Sequence, residues 1–353
     1  MSGPNQHYIP QSLLRSFGTS VRKGKPTRVT VYKRDSVFVT ATTGAAAQRY
    51  FYSRQSMDGS PTLDDEITSY ESHVASMLQT IQAAATSLAL RSDEPSELIA
   101  HLCVRNAQLR ESFARGAGNL FDGIMNLFSD PVYRWKAMGL DKDAPSGPIL
   151  EKINELYDTM RLAARGLTRE FVTQLCFDLI KSRYHPDNPD TAPEMETLML
   201  GLQLARDSVP KMAADAHRRS LAQSIQATGR ATALRDLEWS VHDVGFDLVL
   251  PDAVAIDVGA DGDCRPFMYR PNAELSRVIM PVSIRRVLVG VRKEAEIGDL
   301  QDVNRSFAQC SWEFFVTRER SPALDALRDE IGIETRAWMD AESAKAIANH
   351  SAT

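Results

Sequence analysis

With 353 residues, 43 % of them hydrophobic and 25 % charged, the chain has the composition of an ordinary globular protein with material for one large core or two. A formal net charge of -5 excludes a global field that would hold nucleic acid or an anionic membrane, so any such contact has to be a local patch. Cys103, Cys176, Cys264 and Cys310 have no paired spacing for zinc or redox chemistry, and no run approaches the ~18 apolar residues of a membrane span, so a reducing, cytoplasmic location is the expectation.

Pro10 to Phe17 reads as a short helix: Pro10 suits the first helical position, Gly18 suits a left-handed residue past the end, and Leu13, Leu14 and Phe17 share one face. His7 and Tyr8 then stand just before a helix N-terminus. After a "KGKPT" turn, "RVTVYKR" and "SVFVT" alternate and are rich in β-branched residues, which predicts two short strands. From Thr62 the period changes, with Ile67, Tyr70, Val74, Met77, Ile81 and Leu88 at helical steps behind a "TLDD" capping box. Further helices are predicted at 96–114, 147–164, 168–182, 194–208 and 210–228, with "YHPDNPDTAP" as a loop between them. Beyond about residue 236, "LEWSV", "FDLVL", "AVAIDV", "RVIMPV", "RVLVGV" and "WEFFV" read as strands. "DVNRSFAQC" and "SPALDALRDEI" read as helices, the second capped by Ser321 with Pro322 in its first turn.

These elements predict an α+β fold, in which N-terminal and C-terminal strands join in one mainly antiparallel sheet and a large central helical block packs against it. The expected organisation is one domain over residues 1–353, with an N-terminal β segment at 1–61, a helical region at 62–235, a C-terminal β unit at 236–320 and a helical tail at 321–353.

The opening "HYIPQSLLRSF" is followed by "QRYFY", "YESHVASML" and "VRNAQLRE", and later by "LVLPDAVAI", "MPVS" and "DVNRSFAQCSWEFFV". In that order these segments resemble the motifs of a bacterial family catalogued as domain of unknown function 4238. The resemblance singles out His7, Tyr8, Pro10, Tyr52, Glu71, Arg105, Arg110, Asp252, Pro281, Ser283 and Asn304. The chain departs from the family pattern where Pro251 replaces serine, Ala253 and Val254 replace Asn-Pro, and Asn106 and Ala107 replace Thr-Pro. The family brings no established activity, so the resemblance bears on fold and site rather than on reaction.

Several of these residues carry chemistry. His7 titrates near neutrality and precedes a helix N-terminus, where an anion is favoured; it is a candidate general acid or base, or else it locks the N-terminal segment to the core. Asp252, at a strand end, is a candidate catalytic partner or ligand for a divalent metal, or else a turn cap. Arg105 and Arg110, five apart on a helix, are candidate anion-binding residues together with Tyr8 and Asn304; Arg105 could equally pair with Glu71 between adjacent helices. Asp257, Asp261 and Asp263 have the composition of a calcium loop without its spacing or closing glutamate.

No acidic residue precedes Asp35, whereas Arg15, Arg22, Lys23, Lys25, Arg28, Lys33 and Arg34 do, so this basic opening could contact nucleic acid or form a solvated face. "HRR" at His217 to Arg219 reads as an exposed helical face. Phosphate loops, GxSxG elbows and HExxH helices are absent. Two expectations follow. One is a hydrolase acting on a phosphate-bearing or nucleic acid substrate through His7 and Asp252; the other is a non-catalytic ligand- or protein-binding module in which the same residues are structural.

Overall fold

The computed structural model describes residues 5–20, 25–53, 60–188, 192–223, 225, 228–267, 270, 272–293 and 295–340. The chain divides into two compact units, one built from the described residues of 1–113 and 211–341, the other from those of 114–210.

Strand β1 (Asn5–His7) comes first and runs into helix α1 (Gln11–Arg15), with Pro10 at its N-cap. Gly18 beyond it is not left-handed. Glycine is needed there for space, since a Cβ would lie 2.4 Å from Thr27 Cγ2 and 2.8 Å from the Arg28 carbonyl. Strands β2 (Arg28–Lys33), β3 (Val37–Ala41) and β4 (Ala47–Arg49) follow. Helix α2 (Leu63–Ala83) opens with the expected capping box: the Thr62 hydroxyl accepts from the Asp65 N–H, and the Asp65 carboxylate accepts from the Thr62 N–H. Ile67, Val74, Met77, Leu78 and Ile81 form its buried stripe.

A short strand β5 (Ala89–Leu90) precedes helices α3 (Asp93–Val104) and α4 (Ala107–Ser129). The helix expected over 96–114 is therefore broken. Asn106 causes the break by capping α4, its Oδ1 accepting the Gln108 N–H at 2.9 Å. The second unit continues with α5 (Pro131–Ala137), α6 (Gly147–Thr159) and α7 (Arg169–Arg183), which close over Leu140, Ile153 and Phe177. Helix α8 (Ala192–Gln223) runs through Pro210, where the sequence suggested two helices; one proline removes one backbone hydrogen bond, which a long helix tolerates.

After α9 (Thr228–Leu234) come strands β6 (Glu238–Asp243), β7 (Leu250–Pro251), β8 (Ile256–Gly259), β9 (Cys264–Pro266), β10 (Leu275–Ser283) and β11 (Arg286–Val291). Helix α10 (Val303–Cys310), strand β12 (Phe314–Thr317) and helix α11 (Pro322–Leu327) close the described chain, the last capped by Ser321 as expected. Residues 333–340 are helical, and the rest of the expected tail lies outside the described residues.

Among the described residues every strand pairing is antiparallel, and the fold is α+β. N-terminal and C-terminal strands do join, in a sheet of order β3-β2-β12-β7 with Tyr32 opposite Phe315 and stacked on it at 4.8 Å. The remaining strands do not enter that sheet. They form a six-stranded sheet, β5-β6-β11-β10-β8-β9, and a small pair, β1-β4. Burial sets the larger sheet apart: its strands β8, β11 and most of β10 are buried on both faces, whereas β6 buries one face only. Residues of the two larger sheets share one hydrophobic core. In the larger sheet the Trp239 ring lies over Gly290, its cross-strand partner, so closely that a Cβ there would meet ring atoms at 2.6 Å. Among the described residues no helix is long and apolar enough to cross a membrane.

Candidate functional site

The opening segment is fixed by a buried polar network. In β1 the side chains alternate, with Gln6 inward and His7 at half burial. Gln6 Oε1 accepts the backbone N–H of Tyr52 at 2.6 Å and of Ser53 at 3.2 Å, while its amide donates to the Ser53 carbonyl at 2.8 Å. One side chain thus satisfies the backbone of Tyr52 and Ser53.

Arg105, at the C-terminus of α3, is 1 % exposed. Its Nη2 donates to the His7 carbonyl at 2.6 Å and to Glu71 Oε1 at 2.8 Å, and its Nε donates to Tyr52 Oη at 3.1 Å. Nη1 meets His101 Nε2 at 3.4 Å. Burial opposes the guanidinium charge, but Tyr52 and Glu71 overcome that and hold the group above its ordinary value. The pairing with Glu71 between α2 and α3 is the one the sequence offered as the structural alternative. His101 hydrogen-bonds the Ile225 carbonyl through Nδ1 at 2.7 Å. Its burial, reinforced by the Arg105 charge, pushes it down to about 3, so it is a neutral ring.

Arg110 lies beyond the break, in the first turn of α4, and is also buried. Nη2 donates to the Phe51 carbonyl at 2.7 Å, and the guanidinium lies 3.6 Å from the centroid of the Phe51 ring. Burial lowers it to about 10. Its Nε and Nη2 reach His217 Nδ1 at 3.4 and 3.3 Å, and His217 Nε2 bonds the Val104 carbonyl at 2.6 Å. The exposed face expected at 217–219 is therefore corrected at His217, which is 6 % exposed. Leu221, buried four residues later on the same helix face, is the signal that could have shown it.

Asp252 is buried at the end of β7, and its carboxylate is filled by backbone. Oδ1 accepts the Trp312 N–H at 2.7 Å; Oδ2 accepts those of Glu313 at 2.7 Å and Phe314 at 3.1 Å. Its own N–H donates to the Phe314 carbonyl, and its carbonyl accepts from Asn106 Nδ2. Burial pushes the acid up to about 7 against the pull of those three donors. No hydrogen bond joins His7 to Asp252 among the described residues. Instead His7 Nε2 meets the Gln11 amide at 3.2 Å, and burial lowers its affinity for a proton although Glu71 opposes this. Helix α1, five residues long, spends the N–H groups of Leu13 and Leu14 on the Pro10 carbonyl. The residue closer to Asp252 in effect is Tyr8, whose phenol is held above its ordinary range by burial and by the charges of Asp252 and Glu313; its ring packs on Phe51 at 5.3 Å.

Asn304 stands apart on α10, where Oδ1 accepts the Val249 N–H at 2.9 Å and Nδ2 donates to the Asp247 carbonyl at 2.8 Å. It lines a cavity of about 510 Å³. In the acidic loop, Arg270 donates to Asp257 at 2.9 Å and to Asp263 at 2.6 Å, and Arg265 meets Asp263 at 3.0 Å, so arginines occupy the carboxylates. Among the described residues no three histidine, cysteine or acidic side chains are grouped to hold a metal ion. Within the basic opening, Arg28 donates to the Val39 carbonyl, Arg34 to the Asp329 carbonyl, and Lys33 pairs with Glu313 at 3.6 Å; Arg22 and Lys23 lie outside the described residues.

Gln6 and His101 complete this network without having been singled out by the sequence, and His217 joins it against the expectation of an exposed face. Their signals were weak: one polar residue alternating with an aromatic, and histidines within apolar helix faces. No curated protein and no solved structure matches the chain. His7, Tyr8, Tyr52, Glu71, Arg105 and Arg110 all fall in residues 5–138, the stretch that matches the model of the family described as protein of unknown function (DUF4238), the one its opening motif resembles.

Proposed function

We propose that this chain is a non-catalytic ligand-binding module of the reducing intracellular compartment, in which His7, Tyr8, Arg105, Arg110 and Asp252 hold the fold together. The observation that carries this reading is the state of Asp252: both carboxylate oxygens are used by three backbone N–H groups, so recruiting it as a base or metal ligand means unmaking the 312–314 segment. Arg105 is bound in the same way, to the His7 carbonyl, Tyr52 and Glu71, which leaves its fork committed. Four free cysteines agree with a reducing compartment. The internal partners of Arg28, Lys33 and Arg34 favour a ligand other than nucleic acid.

The test sets turnover against stability. The protein is incubated with DNA, RNA and nucleotides, with and without magnesium or manganese, and no turnover is expected. His7→Ala is expected to lower Tm by about 2–4 °C, the equivalent of roughly 1 kcal/mol in a unit of this size. Turnover that vanishes in His7→Ala while Tm stays unchanged overturns the reading and restores the hydrolase.

A further inference from the structure

The cavity beside α10 has the volume of a small-molecule site, about 510 Å³ against the roughly 300–1,000 Å³ usual for such pockets. Phe246, Leu324 and Leu327 give it an apolar wall. Asn304 fixes its frame, since the two amide bonds to Val249 and Asp247 tie the segment that carries Phe246 to α10. The cavity is thus formed before any ligand arrives.

Three carboxylates reach it, and two are already committed: Asp247 accepts from Arg285 at 3.0 Å, and Glu330 accepts from Arg305 at 2.8 Å and Gln309 at 2.7 Å. Asp302 differs. It occupies the N-cap of α10, a position where aspartate normally caps through its side chain, yet its carboxylate makes no capping bond; its backbone carbonyl accepts the Arg305 and Ser306 N–H groups, and its charge acts on the guanidinium of Arg305, which also lines the cavity and is itself paired with Glu330. A carboxylate that makes no capping bond and lines an apolar-walled cavity is chemically matched to one kind of visitor.

We infer that this cavity binds a small organic cation, an ammonium or guanidinium on a short apolar stem, with Asp302 receiving the charge and Phe246, Leu324 and Leu327 receiving the stem. The inference rests on the binding-module reading and gives it a ligand class. A free amine and the lysine or arginine side chain of a peptide share this chemistry, and the experiment has an arm for each.

Pentylammonium, pentylguanidinium, pentanoate, pentanol and a blocked tripeptide with a central arginine are titrated into the full chain by saturation-transfer NMR. The two small cations are expected to bind saturably in the millimolar range, with pentanoate and pentanol much weaker. Asp302→Asn is expected to weaken the cations about tenfold or more, the loss of one charge-assisted contact, with Tm unchanged because the side chain is exposed. Tighter binding of the tripeptide than of pentylguanidinium assigns the site to a peptide side chain; the reverse assigns it to a free amine. Absence of saturable cation binding, equal binding of pentanoate, or an unchanged Kd in Asp302→Asn overturns the inference. Those failures leave the binding-module reading standing, whereas turnover of a nucleotide or nucleic acid removes that reading and leaves the titration intact.

Discussion

His101 makes the stability of the first unit depend on pH in a calculable way. In the unfolded chain its imidazole takes up a proton near 6.5, whereas the folded ring, buried beside Arg105, does so only at about 3. A depressed folded-state value means that stability is fully present above pH 6.5 and is lost as pH falls from there towards 3. Between about pH 7.5 and about pH 5 this one group removes about 2 kcal/mol, with a slope approaching ~1.4 kcal/mol per pH unit at the acid end. His101→Gln keeps an acceptor for Arg105 Nη1 and a donor for the Ile225 carbonyl but cannot titrate. Urea unfolding followed by tryptophan fluorescence at the two pH values measures the difference, and buried Trp239 reports on this unit. His7 and His242, also lowered mainly by burial, act in the same direction and remain in both proteins, so the comparison isolates His101. Equal acid losses in the wild type and His101→Gln would refute the assignment of a neutral buried ring.

Two further substitutions probe packing and backbone completion. Asp252→Ala leaves the N–H groups of Trp312, Glu313 and Phe314 without an acceptor and is expected to cost about 3 kcal/mol or more, read as a fall in Tm; Asp252→Asn, which keeps one acceptor, recovers part of it, and a Tm within a degree of wild type would contradict the role given to the carboxylate. Gly290→Ala forces the Trp239 ring from its seat and is expected to lower stability by about 1–3 kcal/mol with a shift of the tryptophan emission, whereas an unchanged spectrum would show that the ring does not depend on the missing Cβ.

Much of the architecture was legible wherever a local rule decides it. The Thr62 capping box, the Ser321 cap with Pro322, and the alternation of "RVTVYKR" each act within a few residues, and each produced the element it predicts. Arg105 with Glu71 was legible because adjacent helices invite such a pair. What escaped was set by distant backbone. The partners of Asp252 are N–H groups from 60 residues on, and a carboxylate that binds peptide groups leaves no complementary side chain for a reader to find. Gly18 looked like a helix terminator but serves the close approach of Thr27 and Arg28, a contact that exists only in three dimensions. The separation of the strands into sheets depended likewise on which faces the core covers, and short runs of valine and isoleucine do not encode that.

The sheet that joins β2 to β12 has a consequence for how the protein is made. Thr30 donates its hydroxyl proton to the carbonyl of Arg318, 288 residues later, so Val31 and Tyr32 must wait for nearly the whole described chain before their partner strand exists. At a ribosomal rate of about 5–20 residues per second the delay is roughly 15–60 s, far longer than hairpin formation. During that interval β2 and β3 can form only a lone hairpin with an apolar edge open to neighbouring chains, which makes the newborn N-terminal segment a natural client for chaperones.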